Sequence, residues 1–232
     1  MRDAPSLSTI SLIIPALNEA ECLPALLHET PHALLYEIIV VDNGSTDGTG
    51  AVARAAGALV VSEPRRGYGY ACAAGVAAAT GDILVFMDGD GSFVPDELQQ
   101  LVAPLVAGQA DLVLGTRFRG GMSVGAMPPH QRFGNHLVAW LVRLFYHVEL
   151  TDLGPFRAIR RDRLAELQMQ ERTYGWPIEM MVKAAKRRFR LLEVPVRYRP
   201  RLAGQSKVGG TVRGTVLATY KILRVTFRYV WH

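Results

Sequence analysis

The chain has 232 residues, 49% hydrophobic and 20% charged, which is enough apolar material to bury a core as one domain and excludes a disordered chain. Two cysteines alone, Cys22 and Cys72, exclude a disulfide framework and point to a reducing compartment; no cleavable leader is evident, and no run reaches the roughly 18 uninterrupted apolar residues of a spanning helix. The net charge of +5 is unevenly spread: residues 1 to 182 hold 13 Arg or Lys against 20 Asp or Glu, and residues 183 to 232 hold 13 against one, Glu193, so an acidic body suited to a cation precedes a basic tail suited to phosphate, an acidic lipid surface or nucleic acid.

Apolar β-rich runs alternate with helical patterns through the first half, predicting βα units around a mainly parallel sheet. Strands are expected near Ile10 to Pro15, Glu37 to Asp42, Ala58 to Ser62, Ile83 to Asp88 and Asp111 to Thr116, with helices near Glu19 to Glu29, Thr46 to Ala56, Gly69 to Ala79 and Pro95 to Val106. The rhythm then breaks at Gly120 to Pro129, a Gly, Met and Pro-rich loop. A helix near Phe133 to His147, a strand near Asp152 to Ile159, a helix near Pro177 to Arg188 and a strand near Leu191 to Tyr198 are expected next, before a glycine-containing loop from Arg201 to Gly210.

Residues 211 to 232 read as a basic amphipathic helix. On a 100° wheel Val212, Val216, Tyr220, Leu223, Phe227 and Val230 share one arc, Arg213, Lys221, Arg224 and Arg228 fill the neighbouring one, and Trp231 lies near the boundary. Such a helix either packs on the body or lies on an anionic bilayer.

The chemistry is concentrated where strands end. Val85 to Met87 is an apolar run closed by Asp88-Gly89-Asp90, and two carboxylates so close repel unless a divalent cation or polar ligand neutralises them. Asp42 closes another strand, in the crevice where open α/β sheets bind ligands, and suits a nucleobase edge; Ser45, Thr46 and Asp47 are accounted for as cap and first-turn charge of the next helix. Gly67 and Gly69 suit close approach of the backbone to a ligand. Neither a dinucleotide-binding glycine fingerprint nor a Walker loop is present, and no Cys or His cluster has zinc spacing, so a metal here is a hard cation on oxygen.

Five segments in order, Pro15-Ala16-Leu17-Asn18-Glu19, Val41 to Thr49, Arg66-Gly67-Tyr68-Gly69, Asp88-Gly89-Asp90 and Gly204-Gln205-Ser206-Lys207, resemble those of inverting family 2 glycosyltransferases. Over nearly the whole chain the set is similar to the polyprenyl-phosphate branch, the dolichyl-phosphate mannose and glucose synthases and their bacterial relatives. The resemblance implies a GT-A fold, a Rossmann-like mainly parallel α/β sheet flanked by helices, with residues 1–210 as catalytic domain and 211–232 as the C-terminal helix. It implies that Pro15, Asn18, Glu19, Asp42, Gly67, Asp88, Gly89 and Asp90 bind the nucleotide sugar, and that Asp88 and Asp90 hold Mg²⁺ or Mn²⁺ against the diphosphate, with Asp90 catalytic in that sense. Ser92 stands where relatives often carry Gln, so a third ligand is not implied.

On the acceptor side, Thr151 to Arg157 resembles the family segment in which Asp precedes Gly-Phe-Arg, although Pro155 interrupts it here. Arg117, Arg157, Arg199, Arg201 and Lys207 are expected to bind phosphates, each equally suited to a surface salt bridge. Asp152 is the second catalytic candidate: it orients the acceptor or sugar if a lipid phosphate attacks, and becomes the base if a neutral hydroxyl does. Glu179 either bonds a sugar or faces solvent. The implied activity is inverting transfer of a hexose to a polyprenyl phosphate by a cytoplasmic enzyme, peripheral on the membrane face. Ala16-Leu17 favours UDP-glucose over GDP-mannose as donor. A soluble acceptor and a non-catalytic nucleotide-sugar-binding subunit are the alternatives, and nucleic acid is not an expected partner, because the tail lacks a reader motif.

Overall fold

A computed structural model describes residues 8–204 and 212–230, with side chains from 218 onward in the second stretch. The expected Gln205 to Lys207 segment, the boundary at 210 and 211, the arc positions Val212, Arg213 and Val216, and Trp231 therefore lie outside the described residues or side chains.

The chain builds β1 (Ile10–Ala16), α1 (Leu23–Glu29), β2 (Glu37–Asp42), α2 (Thr49–Ala55), β3 (Leu59–Ser62), α3 (Tyr68–Ala78), β4 (Ile83–Phe86), α4 (Leu98–Val106), β5 (Leu112–Thr116) and the short α5 (Arg117–Gly120). It continues with α6 (Pro129–Tyr146), β6 (Arg157–Arg160), α7 (Arg161–Leu167), α8 (Trp176–Lys186), β7 (Leu191–Pro195) and α9 (Val212–Arg228). One seven-stranded sheet runs in the order β3-β2-β1-β4-β6-β5-β7. β1 lies parallel to β2 and β4, with Ser11 opposite Glu37 and Ile10 opposite Ile83; β6 is antiparallel to both neighbours, and β7 is parallel to β5.

The strands are near-continuous apolar runs because helices cover both faces of the sheet. Alternate residues point to opposite faces. Leu12, Ile14, Val40, Val85 and Met87 meet Leu23, Leu26 and Leu27 of α1 and Leu98, Leu101 and Leu105 of α4. Ile13, Ile39, Val41, Leu84 and Phe86 meet α3, α6, α8 and α9 through Cys72, Val142, Met181 and Val225. α3 comes so close that a Cβ on Gly75 would collide with Ile13 and press on Val41. Both cysteines are buried thiols.

Several boundaries differ from the expected ones for identifiable reasons. α1 begins at Leu23 because Glu19 to Cys22 turn on the Glu19 carbonyl, which accepts the N–H groups of Cys22 and Leu23. α2 begins at Thr49 because Gly44 and Gly48 hold φ values of 79° and 89°, outside helical geometry. The strand expected from Asp152 forms only from Arg157, since the preceding polar groups bond sideways to other elements. α7 was not expected, and no described helix is long and apolar enough to cross a membrane.

Candidate active site

The loops following β1, β2 and β3 are tied to one another by hydrogen bonds at the carboxyl edge of the sheet, and the loop after β4 shares one cavity with them. Asn18, at a φ of 52°, accepts the Thr46 N–H at 2.8 Å and donates its own N–H to Ser45 Oγ at 3.0 Å. Glu19 N–H donates to Thr49 Oγ1 at 2.9 Å, and Ala20 N–H to Asp47 Oδ2 at 3.0 Å. Asn43 brings in the third loop by donating to the carbonyls of Glu63 and Arg65 and accepting the Gly67 N–H. Ser45 and Asp47 thus knit loops together; Gly48, the residue before α2, has no side chain to cap it, and Asp47 accepts the Thr49 N–H at 3.0 Å in the first turn, as expected. Asp42 accepts the Ser45 N–H on Oδ1 at 2.8 Å.

Among these loops lies a cavity of about 570 Å³, lined by Pro15, Glu19, Gly67, Asp88, Gly89 and Asp90, together with Asn43, Arg66, Tyr68, Tyr174 and Arg201. Asn18 and Asp42 brace this wall without lining it. The two glycines at the start of α3 also admit another part of the chain, while Gly67 keeps its place in the cavity wall. A Cβ on Gly67 would stand 2.5 Å from the Arg172 carbonyl oxygen, and one on Gly69 2.6 Å from that of Glu171. Tyr70 N–H donates to Arg172 O at 3.0 Å, and this packing delivers Thr173 and Tyr174 to the cavity.

Charge dominates the floor. Burial and then repulsion from Asp90 push the Asp88 carboxyl up to about 7, although Arg117 and a hydrogen bond from the Tyr68 hydroxyl pull the other way. Asp90 accepts the Ser92 N–H at 3.0 Å, and Arg201 Nη1 lies 3.9 Å from its Oδ2. Arg201 Nη2 donates to both Glu19 oxygens, at 2.8 and 2.6 Å, while its Nε donates to Ala203 O. Two oxygen-bearing acids, one held near neutral protonation, fit a hard divalent cation. The described residues contain no cluster of three His, Cys, Asp or Glu, and Ser92 is buried.

A second cavity, about 230 Å³, shares Tyr68 and Tyr174 with the first. Its walls are largely apolar, with Leu153, Pro155, Pro177, Ile178, Ala218 and Ile222, and its polar groups besides the two tyrosines are Arg117 and Asn135. Asp152 grips Arg117 through Nε at 2.7 Å, Nη2 at 2.6 Å and the backbone N–H at 2.9 Å, and Asn135 accepts from Nη2 at 3.2 Å. Burial alone would discourage charge on Arg117, but Asp152 more than restores it and raises its pKa. Asp152 is only 1% exposed with both oxygens engaged, so it aims Arg117 and is not placed to act as the base considered above.

The other expected phosphate ligands are distributed differently. Arg157 is 1% exposed and donates to the carbonyls of Leu153, Gly154 and Pro177; it is a buried brace, not a phosphate ligand, and burial lowers its pKa. Arg199 pairs with Glu29 at 2.6 Å and donates to Gly91 O at 2.7 Å, so it steadies the loop after Asp90. Arg201 alone of the distal arginines lines the first cavity. Lys207 lies outside the described residues. Glu179 neither faces solvent nor the cavities: fully buried, it accepts from Gln170 N–H, Glu171 N–H, Lys183 and the Tyr229 hydroxyl. Asn135 and Tyr174 were not anticipated, and Arg66 and Tyr68 stood in a noted segment without an assigned role; for Tyr174 the aromatic and glycine cluster Tyr174-Gly175-Trp176 before a helix was the available signal.

Comparison with known proteins supports the same assignment. The profile for glycosyl transferase family 2 matches residues 11–168. An uncharacterised glycosyltransferase of Mycobacterium tuberculosis is 41% identical over 218 residues, 93% of this chain and 97% of that one. The polyprenol monophosphomannose synthase of Mycolicibacterium smegmatis is 33% identical over 218 residues, 86% of this chain and 81% of the other. A crystal structure of glucosyl-3-phosphoglycerate synthase from Mycobacterium tuberculosis in complex with UDP superposes with a TM-score of 0.74 at 27% identity, covering 97% of this chain and 80% of that one. The same synthase has been crystallised with Mn²⁺ and UDP-glucose. With the sheet, the loops and the matched profile in agreement, the chain belongs to glycosyl transferase family 2 and is a nucleotide-sugar-dependent glycosyltransferase of the GT-A fold.

Proposed function

We propose that this enzyme transfers a hexose from a nucleoside diphosphate sugar to a polyprenyl phosphate with inversion, assisted by Mg²⁺ or Mn²⁺ held by Asp88 and Asp90. The observation that carries the reading is the second cavity: apolar walls suit a prenyl chain, the Arg117 guanidinium suits its phosphate, and Tyr68 and Tyr174 join it to the acidic cavity. The 33% identical polyprenol monophosphomannose synthase supports it as well. Pro15, Asn18, Glu19, Asp42, Gly67 and Gly89 then form or brace the nucleotide side. A divalent cation bound there offsets the negative charge growing on the departing diphosphate.

The acceptor phosphate is already an anion near neutral pH. One of its oxygens attacks the anomeric carbon opposite the diphosphate, a carbon–oxygen bond forms as the bond to the diphosphate breaks, and the leaving group keeps the electron pair. No side chain has to remove a proton, in keeping with an Asp152 that is fully occupied. Arg117 holds the attacking phosphate in line, and Tyr68 steadies Asp88. UDP-glucose is the favoured donor on the Ala16-Leu17 pair and the UDP-binding structural relative.

A soluble phosphorylated acceptor is the second reading, because Arg117 suits any phosphate and a structural relative is a glucosyl-3-phosphoglycerate synthase. The test is incubation with Mn²⁺, UDP-glucose or GDP-mannose, and either polyprenyl phosphate or 3-phosphoglycerate, with products read by mass spectrometry and anomeric configuration by NMR. Glucosyl phosphoprenol of inverted configuration is expected. Transfer to phosphoglycerate alone overturns the lipid acceptor, and nucleotide binding without any transfer points to a non-catalytic subunit.

A further inference from the structure

We propose that α6 and α9 together form one face that docks on an anionic lipid bilayer, from which the enzyme draws its acceptor; only the acceptor clause rests on the function proposed above.

α6 buries Val138, Ala139, Leu141 and Val142 against the body, yet leaves Phe133, Trp140 and Leu144 at 70%, 56% and 49% exposure. These three are seven and four residues apart, so they form a single outward stripe. Exposed Arg132, His136 and Arg143 flank it on one side. α9 repeats the arrangement. It packs inward through Ala218, Val225 and Thr226, with Tyr229 bonded to Glu179, and leaves Tyr220 and Phe227 outward beside exposed Arg224 and Arg228. Over its described side chains the helix therefore spends a third face on the body and keeps Tyr220, Phe227, Arg224 and Arg228 outward. Phe145 and Phe227 meet edge to face with centroids 5.6 Å apart, and Tyr146 donates to Thr226 O, so the two helices are fastened together.

Charge selects the occupant. Residues 112–148 contain four arginines and no Asp or Glu, and residues 194–232 contain no Asp or Glu at all. The acid nearest in sequence to α6 beyond its end, Glu149, is a surface partner of Arg143 at 3.0 Å, an interaction of little weight in water. Large aromatic side chains interleaved with arginines, on two joined helices, match the headgroup boundary of an anionic bilayer, where rings enter the acyl edge and guanidinium groups meet phosphate. The same helices supply Asn135, Ala218 and Ile222 to the cavity that ends at Arg117. A lipid anchored at that face thus needs to cross only between elements already touching it.

The test compares the full chain with a Phe133→Ala/Trp140→Ala double variant in co-sedimentation with vesicles of phosphatidylcholine alone or mixed with phosphatidylglycerol. Both residues are exposed and neither belongs to the contacts that fasten α6 to α9, so melting temperature and turnover of a short, water-soluble prenyl phosphate should be unchanged. Binding of the unmodified chain only to the mixed vesicles, weakened roughly tenfold or more in the double variant, is expected from the apolar area withdrawn from the interface. Undiminished binding by the double variant, or no binding by the unmodified chain, overturns the proposal. So does light scattering that shows a dimer which the double variant dissociates, with no vesicle binding, because the face would then belong to a second copy. Weakened vesicle binding with no transfer to any prenyl phosphate leaves the docking face standing and removes the lipid acceptor.

Discussion

Around the first cavity the site is positioned mainly by single hydrogen bonds between neighbouring loops, Asn18 with Thr46 and Asn43 with Gly67 among them, whereas the second cavity depends on one buried cation clamped by one buried carboxylate, Arg117 and Asp152. A neutral hydrogen bond contributes about 0.5–1.5 kcal/mol net, so a lattice of them degrades gradually. A buried ion pair that loses one partner leaves an uncompensated charge, at about 3–5 kcal/mol. The donor side is thus tolerant in its scaffold and demanding in its two acids; the acceptor side is demanding in its scaffold.

The sharpest way to break this contrast is Arg117→Ala, which strands Asp152 and should cost about 3–5 kcal/mol in a denaturant titration, together with loss of transfer. Asp152→Asn keeps an acceptor beside Arg117 and should raise the KM for the acceptor while the shape of the pH–rate profile stays unchanged. A drop of about 10²–10⁴ in kcat with loss of one limb of that profile would restore Asp152 as a base.

On the donor side the effect should be chemical. Asp88→Asn is expected to lower kcat by about 10²–10³ and to abolish the Mn²⁺-dependent rise in melting temperature. The sign of its pH dependence follows from the raised pKa. The folded chain holds a proton on Asp88 up to about pH 7 that the unfolded chain releases at ordinary carboxylate values, so the metal-free protein loses stability as pH rises through that window. The gain on adding Mn²⁺ should therefore be larger at about pH 8 than at about pH 6, because a proton no longer competes for the carboxylate; an increment independent of pH would remove Asp88 from the cation site. The smallest change is expected from Ser45→Ala, which deletes the acceptor of the Asn18 N–H and should cost about 0.5–1.5 kcal/mol with a modest rise in donor KM.

The same contrast governs what the sequence discloses. β1 to β5 are readable because each is an apolar run bounded by polar turns, and the donor loops are readable because their residues are contiguous: Asp88-Gly89-Asp90 and Pro15 to Glu19 each occupy one short stretch. Partners distant in the chain are not. Nothing local announces that Arg157 would be taken up by the carbonyls around Gly154 and Pro177, that Glu179 would collect four donors, or that Asn135 and Tyr174 would meet beside Arg117. α7 was missed because only Leu164 and Leu167 of its seven residues are buried, too few to set a period. β6 was misjudged in length because the polar bonds of Asp152 and the turn at Gly154 and Pro155 override an otherwise extended pattern.

The Glu19–Arg201 pair gives the mouth of the donor cavity its own counterion. A cationic side chain is already shared between Glu19 and the vicinity of Asp90, so the cleft is not lined by bare acids. On the function proposed above, donor entry would be an exchange of partners, with Arg201 passing to the phosphates, and a segment remote in sequence would register the arrival.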